Sequence, residues 1–527
     1  MCPPATDSHD DRVIDTITGP DASPWELLAT LAAAALVAAR WLPAAARIRT
    51  ALGATALMTA SAAFLVPAGI RWQLLPVLAG AALALPSALS PVLRPLLAPR
   101  LAPLLGPLLR PLLERLPGRR GERSARRAPR ARRARRWFGP AGSAACAALI
   151  ATGPAAAWAF PIPDFPRPSG RFAVGTRVLQ WTDPARPETF TPDPDDRRTV
   201  VVQLWYPARP APPNAPRARY LGRTAEEART VRDALADGAG LPGFLLDGAT
   251  RARTRAVFDA PPADGGGRFP LVLFSPGSSG ARTQNTAWAE ELASHGYLVA
   301  AVDHPYDCAA VVLDDGRTIR SATASSGDRD TDEALAAQWT AIRAADLRFV
   351  LDRLESLDHG ERPGDPLAGR LDTTRAAVAG HSMGGAAALQ AARNDPRFTA
   401  ALDLDGYPHG PLTPALHQPA LALTQAPSAA TDPRYLPRLD QALTATTATA
   451  YRLTLPGTTH LTFTDSPLYL PPLPSLTGTL DRTEAVPAVT TTTLAFLDAV
   501  MTPTPGDPAP ALAAHGDLTT HQPPARP

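Results

Sequence analysis

The six residues Gly380-His381-Ser382-Met383-Gly384-Gly385 constrain this chain more than any other segment. Small apolar residues flank them: Ala376-Ala377-Val378-Ala379 before, Ala386-Ala387-Ala388-Leu389 after. That order calls for a strand, a turn that closes only over glycines, and a helix. A turn of this kind holds a hydroxyl exposed at a strand end, which makes Ser382 the candidate nucleophile. The plain alternative is an ordinary buried turn, which requires neither the strand nor the helix.

A serine hydroxyl needs a base to take its proton. On such a scaffold the acid follows the serine in sequence and the histidine follows the acid. Asp403 and Asp405 compete for the acid at the end of the strand Phe398–Leu404. Two residues apart, they point to the same face while in strand. Asp405 is nearer the strand end and is followed by Gly406, so it is the better placed. Asp403 is expected to stay inside the strand as a buried or paired carboxylate. The histidines after the acid are His409, His417, His460, His515 and His521. His409 and His417 follow too soon, in a Pro-rich loop, and the last two lie in the tail. His460 comes directly after the strand Thr449–Leu455, in Pro456-Gly457-Thr458-Thr459-His460, and is the candidate base. His381 is expected to face away from the chemistry. His304 follows an earlier strand and either touches substrate or is structural. An oxyanion needs two backbone N–H donors, and those of Met383 and Ser278 are the best placed.

Around these residues strands alternate with helices. Phe172–Gln180 and Thr199–Trp205 read as an early β pair. Phe269–Phe274, Tyr297–Val302 and Ala420–Thr424 read as further strands, and Thr331–Leu357 and Val489–Val500 as helices. The fold class is α/β, a mostly parallel sheet covered by helices. Residues 207–262 form an insertion, Pro-rich at both ends, that acts either as a lid or as surface decoration. The tail after Met501, rich in Pro, Thr and Ala, is expected to be disordered.

The first third of the 527 residues reads differently. Trp25–Leu42, Ala51–Ile70, Trp72–Val92 and Ala141–Phe160 are apolar and near the ~20 residues a spanning helix needs. Trp25, Trp41, Trp72 and Trp158 sit at segment ends, as interfacial anchors do. The start is acidic and several apolar segments follow it, which excludes a simple cleaved signal peptide. The chain has no lysine, and its net charge of +3 conceals an arginine run from Arg119 to Arg136. That run, with Arg47 and Arg49, should stay cytoplasmic, leaving everything after Phe160 outside. Nucleic-acid binding is the rival for the run, but it lies between two apolar segments and no aromatic residue interleaves it. Six prolines at every fourth position, from Pro91 to Pro111, argue against a regular helix there. The three cysteines, Cys2, Cys146 and Cys308, are far apart and form neither a disulfide framework nor a metal-ligand spacing.

Several stretches together resemble the platelet-activating factor acetylhydrolase family of α/β-hydrolases. They are Leu204-Trp205-Tyr206-Pro207, the loop from Pro270 to Gly280, Ala293-Ser294-His295-Gly296-Tyr297 with Val299–Val302, the Ser382 turn, Arg397-Phe398 through Leu404-Asp405, and Gly457 through Asp465. The resemblance covers most of residues 199–465. It implies an α/β-hydrolase fold, with nucleophile, acid and base on Ser382, Asp405 and His460 and oxyanion donors on Ser278 and Met383. It also implies short-chain or oxidised phospholipid esters as substrates. Pro276 departs from the family pattern, which has a histidine there. The apolar first third resembles the multi-span anchor of actinobacterial relatives.

The resulting expectation is an acidic N-terminal tail (1–24), three membrane helices (25–93), a Pro/Arg-rich cytoplasmic loop (94–137) and a fourth membrane helix (138–160). A catalytic domain (161–500) and a disordered tail (501–527) follow. The function expected is a membrane-anchored, extracytoplasmic serine ester hydrolase acting on an ester or lipid, with no metal, organic cofactor or nucleic acid. A lipase or polyester-hydrolase type of esterase and an acyltransferase use the same residues. A non-enzymatic membrane scaffold is the reading from a different class.

Overall fold

The computed structural model describes residues 23–89 and 128–523, apart from 213, 266, 429–430 and 503–504. Over 128–139 it describes the backbone only. The acidic N-terminal tail, the proline repeat and Arg119–Arg127 lie outside the described residues. The chain divides into two units, Met1–Pro161 and Ile162–Pro527.

The first unit is helical: α1 (Pro24–Ala38), α2 (Ala44–Ala68), α3 (Leu74–Ala88) and α4 (Ala128–Ala159). Small residues let these helices pack closely, with Ala33, Ala51, Val77 and Ile150 in one core. Ser23 caps α1 in a reciprocal bond with Glu26, and Glu26 pairs with the buried Arg71 at 3.4 Å. The expected four spans are not supported. Only α2 and the Pro140–Ala159 part of α4, among the described residues, are long and apolar enough to cross a membrane. The helices α1 and α3 have 15 residues each. At 1.5 Å per residue each reaches about 22 Å, short of a hydrocarbon core of about 30 Å. The last part of the expected basic loop is also helical, since α4 begins at Ala128.

The second unit is built on an 11-stranded sheet. Its strands are β1 (Ala173–Pro187), β2 (Arg197–Ala208), β3 (Arg217–Arg219), β4 (Arg253–Phe258), β5 (Phe269–Ser275), β6 (Leu298–Asp303), β9 (Leu371–His381), β10 (Phe398–Leu404), β11 (Ala420–Gln425), β12 (Ala450–Leu455) and β13 (Asp517–His521). The order across the sheet is β13-β12-β11-β10-β9-β5-β6-β2-β1-β4-β3, and β7 (Ala310–Val312) and β8 (Thr318–Arg320) form a separate hairpin. From β12 to β6 every pairing is parallel.

These central strands are apolar on both faces, because alternate residues enter two different cores. Leu271, Leu273, Ala376 and Val378 face α7 (Arg329–Asp358), α8 (Met383–Asn394) and α9 (Tyr435–Thr444). Val272, Phe274, Ala377 and Ala379 face α6 (Thr286–Ser294) and α10 (Arg482–Val500). Parallel strands place their C-terminal ends along one edge, so Ser275, His381, Leu404, Gln425 and Leu455 all end there. The insertion supplies β3, α5 (Ala225–Gly238), a short helix and β4, and packs Ala228 and Val231 with Leu468 and Val486.

The expected disordered tail is ordered over part of its length. Asp517–His521 pairs antiparallel with β12, and Leu512 is fully buried. The open edge of β12 offers a row of backbone groups, and the tail satisfies them.

Candidate active site

Ser382 stands between β9 and α8 with φ 56° and ψ −124°. That conformation is rare for a residue with a side chain and is held by its surroundings. The Ser382 N–H donates to the Leu404 carbonyl at 2.9 Å, and the Ser382 carbonyl accepts from Gly385 N–H at 2.9 Å. A Cβ on Gly380 would collide with the Gly384 backbone, and one on Gly384 would collide with the Ser275 carbonyl. Glycine is therefore required at both positions by close approach.

His460 opens a short 3₁₀ turn five residues after β12. Its Nδ1 lies 2.7 Å from Asp405 Oδ2, so the proton sits on Nδ1 and the Nε2 lone pair is free to act as a base. Asp405, just past β10, has φ 57° and a buried carboxylate. It also accepts from Gln425 N–H and Nε2 at 2.9 Å each and from the Tyr435 hydroxyl at 3.1 Å. Four donors fix its orientation. Burial, and then Asp405, push the Tyr435 hydroxyl well above its ordinary pKa, so it remains a donor.

Asp403 is fully buried and is paired with neither a cation nor His460. Its Oδ1 accepts from Gly406 N–H at 2.8 Å, and its Oδ2 has no partner among the described residues. Burial first, then the neighbouring Asp405, raise its carboxyl well above the ordinary range. Of the two aspartates, only Asp405 meets the histidine.

An open cleft of about 380 Å³ brings Ser278, Ser382, Met383, Asp405 and His460 together. Among the described residues the amides of Ser278 and Met383 donate to no acceptor. Two free N–H groups in one cleft with a serine are the kind of donors a developing oxyanion needs. The turn carrying Ser278 is held from below. Fully buried Arg343 donates to the Pro276 and Gly277 carbonyls and to Ser275 Oγ, and pairs with Asp307. With those carbonyls held downward, the next amide is free to face the cleft. His304 is structural, bonded to Ser275 Oγ at 2.9 Å and Asp346 at 2.8 Å, and burial keeps it neutral.

Residues 159–502 match the family described as platelet-activating factor acetylhydrolase, isoform II. The chain belongs to that family. Among curated members of this acetylhydrolase group, the platelet-activating factor acetylhydrolase of Cavia porcellus is 32% identical over 162 residues, 28% of this chain and 37% of the relative. A probable 1-alkyl-2-acetylglycerophosphocholine esterase of Arthroderma benhamiae is 28% identical over 250 residues, 46% of this chain and 58% of the relative. The chain thus spans less than two thirds of either relative's length. Among solved structures, a ferulic acid esterase from Streptomyces cinnamoneus is 32% identical with a TM-score of 0.56, covering 68% of this chain and all of that one.

Within this platelet-activating factor acetylhydrolase-family chain, the remaining cleft walls were not foreseen. Glu333 accepts from or pairs with His409 Nδ1 at 3.1 Å, and Tyr407 packs on His409 at 4.9 Å between ring centroids. Asp432 and Arg434, which also line the cleft, pair with one another. Among the described residues of 207–262, none lines the cleft. His381 corrects another expectation. It does not face away: its ring lies 4.5 Å from that of His460, and its Nε2 is 3.0 Å from the His460 carbonyl. Among the described residues no three His, Cys, Asp or Glu side chains converge as a metal site.

Proposed function

We propose that this chain is a serine carboxylic ester hydrolase. Ser382 Oγ attacks the ester carbonyl as His460 Nε2 takes its proton. The N–H groups of Ser278 and Met383 hold the oxyanion, and Asp405 stabilises the imidazolium that forms. Collapse of the tetrahedral intermediate expels the alcohol, which takes the proton from His460. Water, activated by the same imidazole, then releases the acid and restores Ser382. The observation that carries this reading is the 2.7 Å pairing of His460 with a four-times-bonded Asp405, in one cleft with Ser382. Ser382→Ala should abolish hydrolysis of p-nitrophenyl acetate and labelling by a fluorophosphonate while leaving the melting curve unchanged. Retained activity overturns the reading.

Short-chain acyl esters, including the sn-2 ester of a glycerophospholipid, are the substrates its relatives' names suggest. A second reading, esters of hydroxylated aromatic acids, is favoured by the full-length match to a ferulic acid esterase and by the polar Glu333, His409, Asp432 and Arg434 walls. Rates on acetyl-glycerophosphocholine and on methyl ferulate separate the two. The arginines before Pro140–Ala159 favour a cytoplasmic start for that helix and an extracytoplasmic catalytic unit. Labelling of intact cells with an impermeant fluorophosphonate tests this, and labelling only after lysis reverses the topology.

A further inference from the structure

Gln284, in the stretch between the Ser278 turn and α6, touches both that turn and the Ser382 turn. Its Oε1 accepts from Gly277 N–H at 3.2 Å. Its Nε2 lies 2.8 Å from His381 Nδ1. Because Oε1 is committed to an N–H donor, the amide presents its NH₂ to the imidazole, and His381 Nδ1 must accept. The ring proton of a neutral His381 is then on Nε2, which donates to the His460 carbonyl at 3.0 Å. Burial, and then the neighbouring His460, hold His381 well below its ordinary pKa, in keeping with the neutral form. The contact is tight. A Cβ on Gly277 would stand 3.0 Å from His381 Nδ1 and 3.5 Å from Ser382 Cβ.

We propose that Gln284 and His381 are positioning residues, linked in a directed hydrogen-bond chain, Gly277 N–H to Gln284 to His381 to the His460 carbonyl, that sets the oxyanion turn and the general base relative to one another. The inference rests on the ester-hydrolase reading above. Each catalytic part has its own local support: Arg343 under the turn, Asp405 beside the imidazole. Neither support fixes the distance between the two parts. The Gln284–His381 chain spans that gap, and neither residue is among those that line the cleft. The transition state needs oxyanion donors and base in register at once, whereas ground-state binding does not.

The test uses the full-length chain with p-nitrophenyl acetate and a fluorophosphonate. Gln284→Leu and His381→Phe keep the bulk and remove the donors and acceptors. Each should lower kcat by roughly 10- to 100-fold with KM moved less than about threefold, because misplacement of about 1 Å costs on that order. The double variant should fall no more than about threefold below the worse single, since the residues act as one chain. His381→Gln, whose amide still reaches the His460 carbonyl, should recover most of kcat and guards against a misfolded His381→Phe. Folded single variants with kcat within about twofold of wild type, or effects that multiply in the double, overturn the proposal. Wild-type chain that neither hydrolyses nor labels overturns the esterase reading instead, and the chain's catalytic role with it.

Discussion

Arg343 and Asp307 form a buried ion pair beneath the Pro276–Ser278 turn, with Nη2 donating to Oδ1 at 2.7 Å. The pair matters for what else Arg343 does. Its remaining N–H groups hold the Pro276 and Gly277 carbonyls of that turn. Arg343→Met leaves Asp307 charged and unpaired in the interior. It should cost about 3–5 kcal/mol of stability, read from denaturant melts, and lower kcat in whatever fraction remains folded. A variant as stable and active as wild type removes Arg343 from the account.

Asp405 and Asp403 should respond in opposite ways to the same substitution. Asp405→Asn puts an amide where the imidazole needs an acceptor and favours the wrong tautomer. It should lower kcat by ~10³–10⁴-fold with the fold intact. Asp403→Asn replaces a carboxyl whose pKa burial holds well above the ordinary range, and it keeps an oxygen for Gly406 N–H. Its kcat should stay within a fewfold. Steady-state kinetics on the two variants decides between the aspartates.

Glu290 provides a pH signature unrelated to catalysis. Burial raises its carboxyl to about 7, against the N–H donors of Arg255 and Ala256 that partly lower it. A folded pKa above the unfolded one means that stability is fully present below about 4.5 and is lost as pH rises through about 7. The loss amounts to about 3 kcal/mol over that window. Asp465, also buried and raised, acts in the same direction. Denaturant melts across pH 4–8 should show the decline, and Glu290→Gln should flatten it. A wild-type profile that is flat or rises over that range rejects the assignment.

The tail strand predicts a cost for its removal. Deleting residues 505–527 uncovers the edge of β12 and exposes the pocket filled by Leu512. The loss should be at least the ~2 kcal/mol of one buried leucine, with aggregation through the bare edge. Thermal melts and light scattering on the truncated chain measure both.

How much of this was legible beforehand depends on how local each signal is. The Ser382 turn was readable because every residue it needs is contiguous. Asp405 and His460 followed from strand ends and chain order, and the structure joins them at 2.7 Å. Gln425, Tyr435 and Arg343 were not readable. Each reaches the site from a separate element, and only the parallel register brings those elements to one edge. His381 was misjudged because its own turn says nothing about the His460 loop, 79 residues later, that packs on it. The tail lacks the apolar alternation that marks a strand, yet Thr519 and Thr520 pair with Arg452 and Tyr451 because β12 has an open edge. The expected membrane helices erred the other way. Apolar composition continues past the points where α1 and α3 stop, so composition overstated their length.

The pairing of β12 with β13 also sets an order of events. His460 hangs on the turn that leaves β12, and the strand that flanks β12 is made 62 residues after the last residue of β12, counting from Leu455 to Asp517. A growing chain therefore holds Ser382, Asp405 and His460 well before it holds the strand that covers the edge of β12. During that interval the turn that carries His460 leaves a strand with one edge open, and that edge closes only in a chain translated through His521.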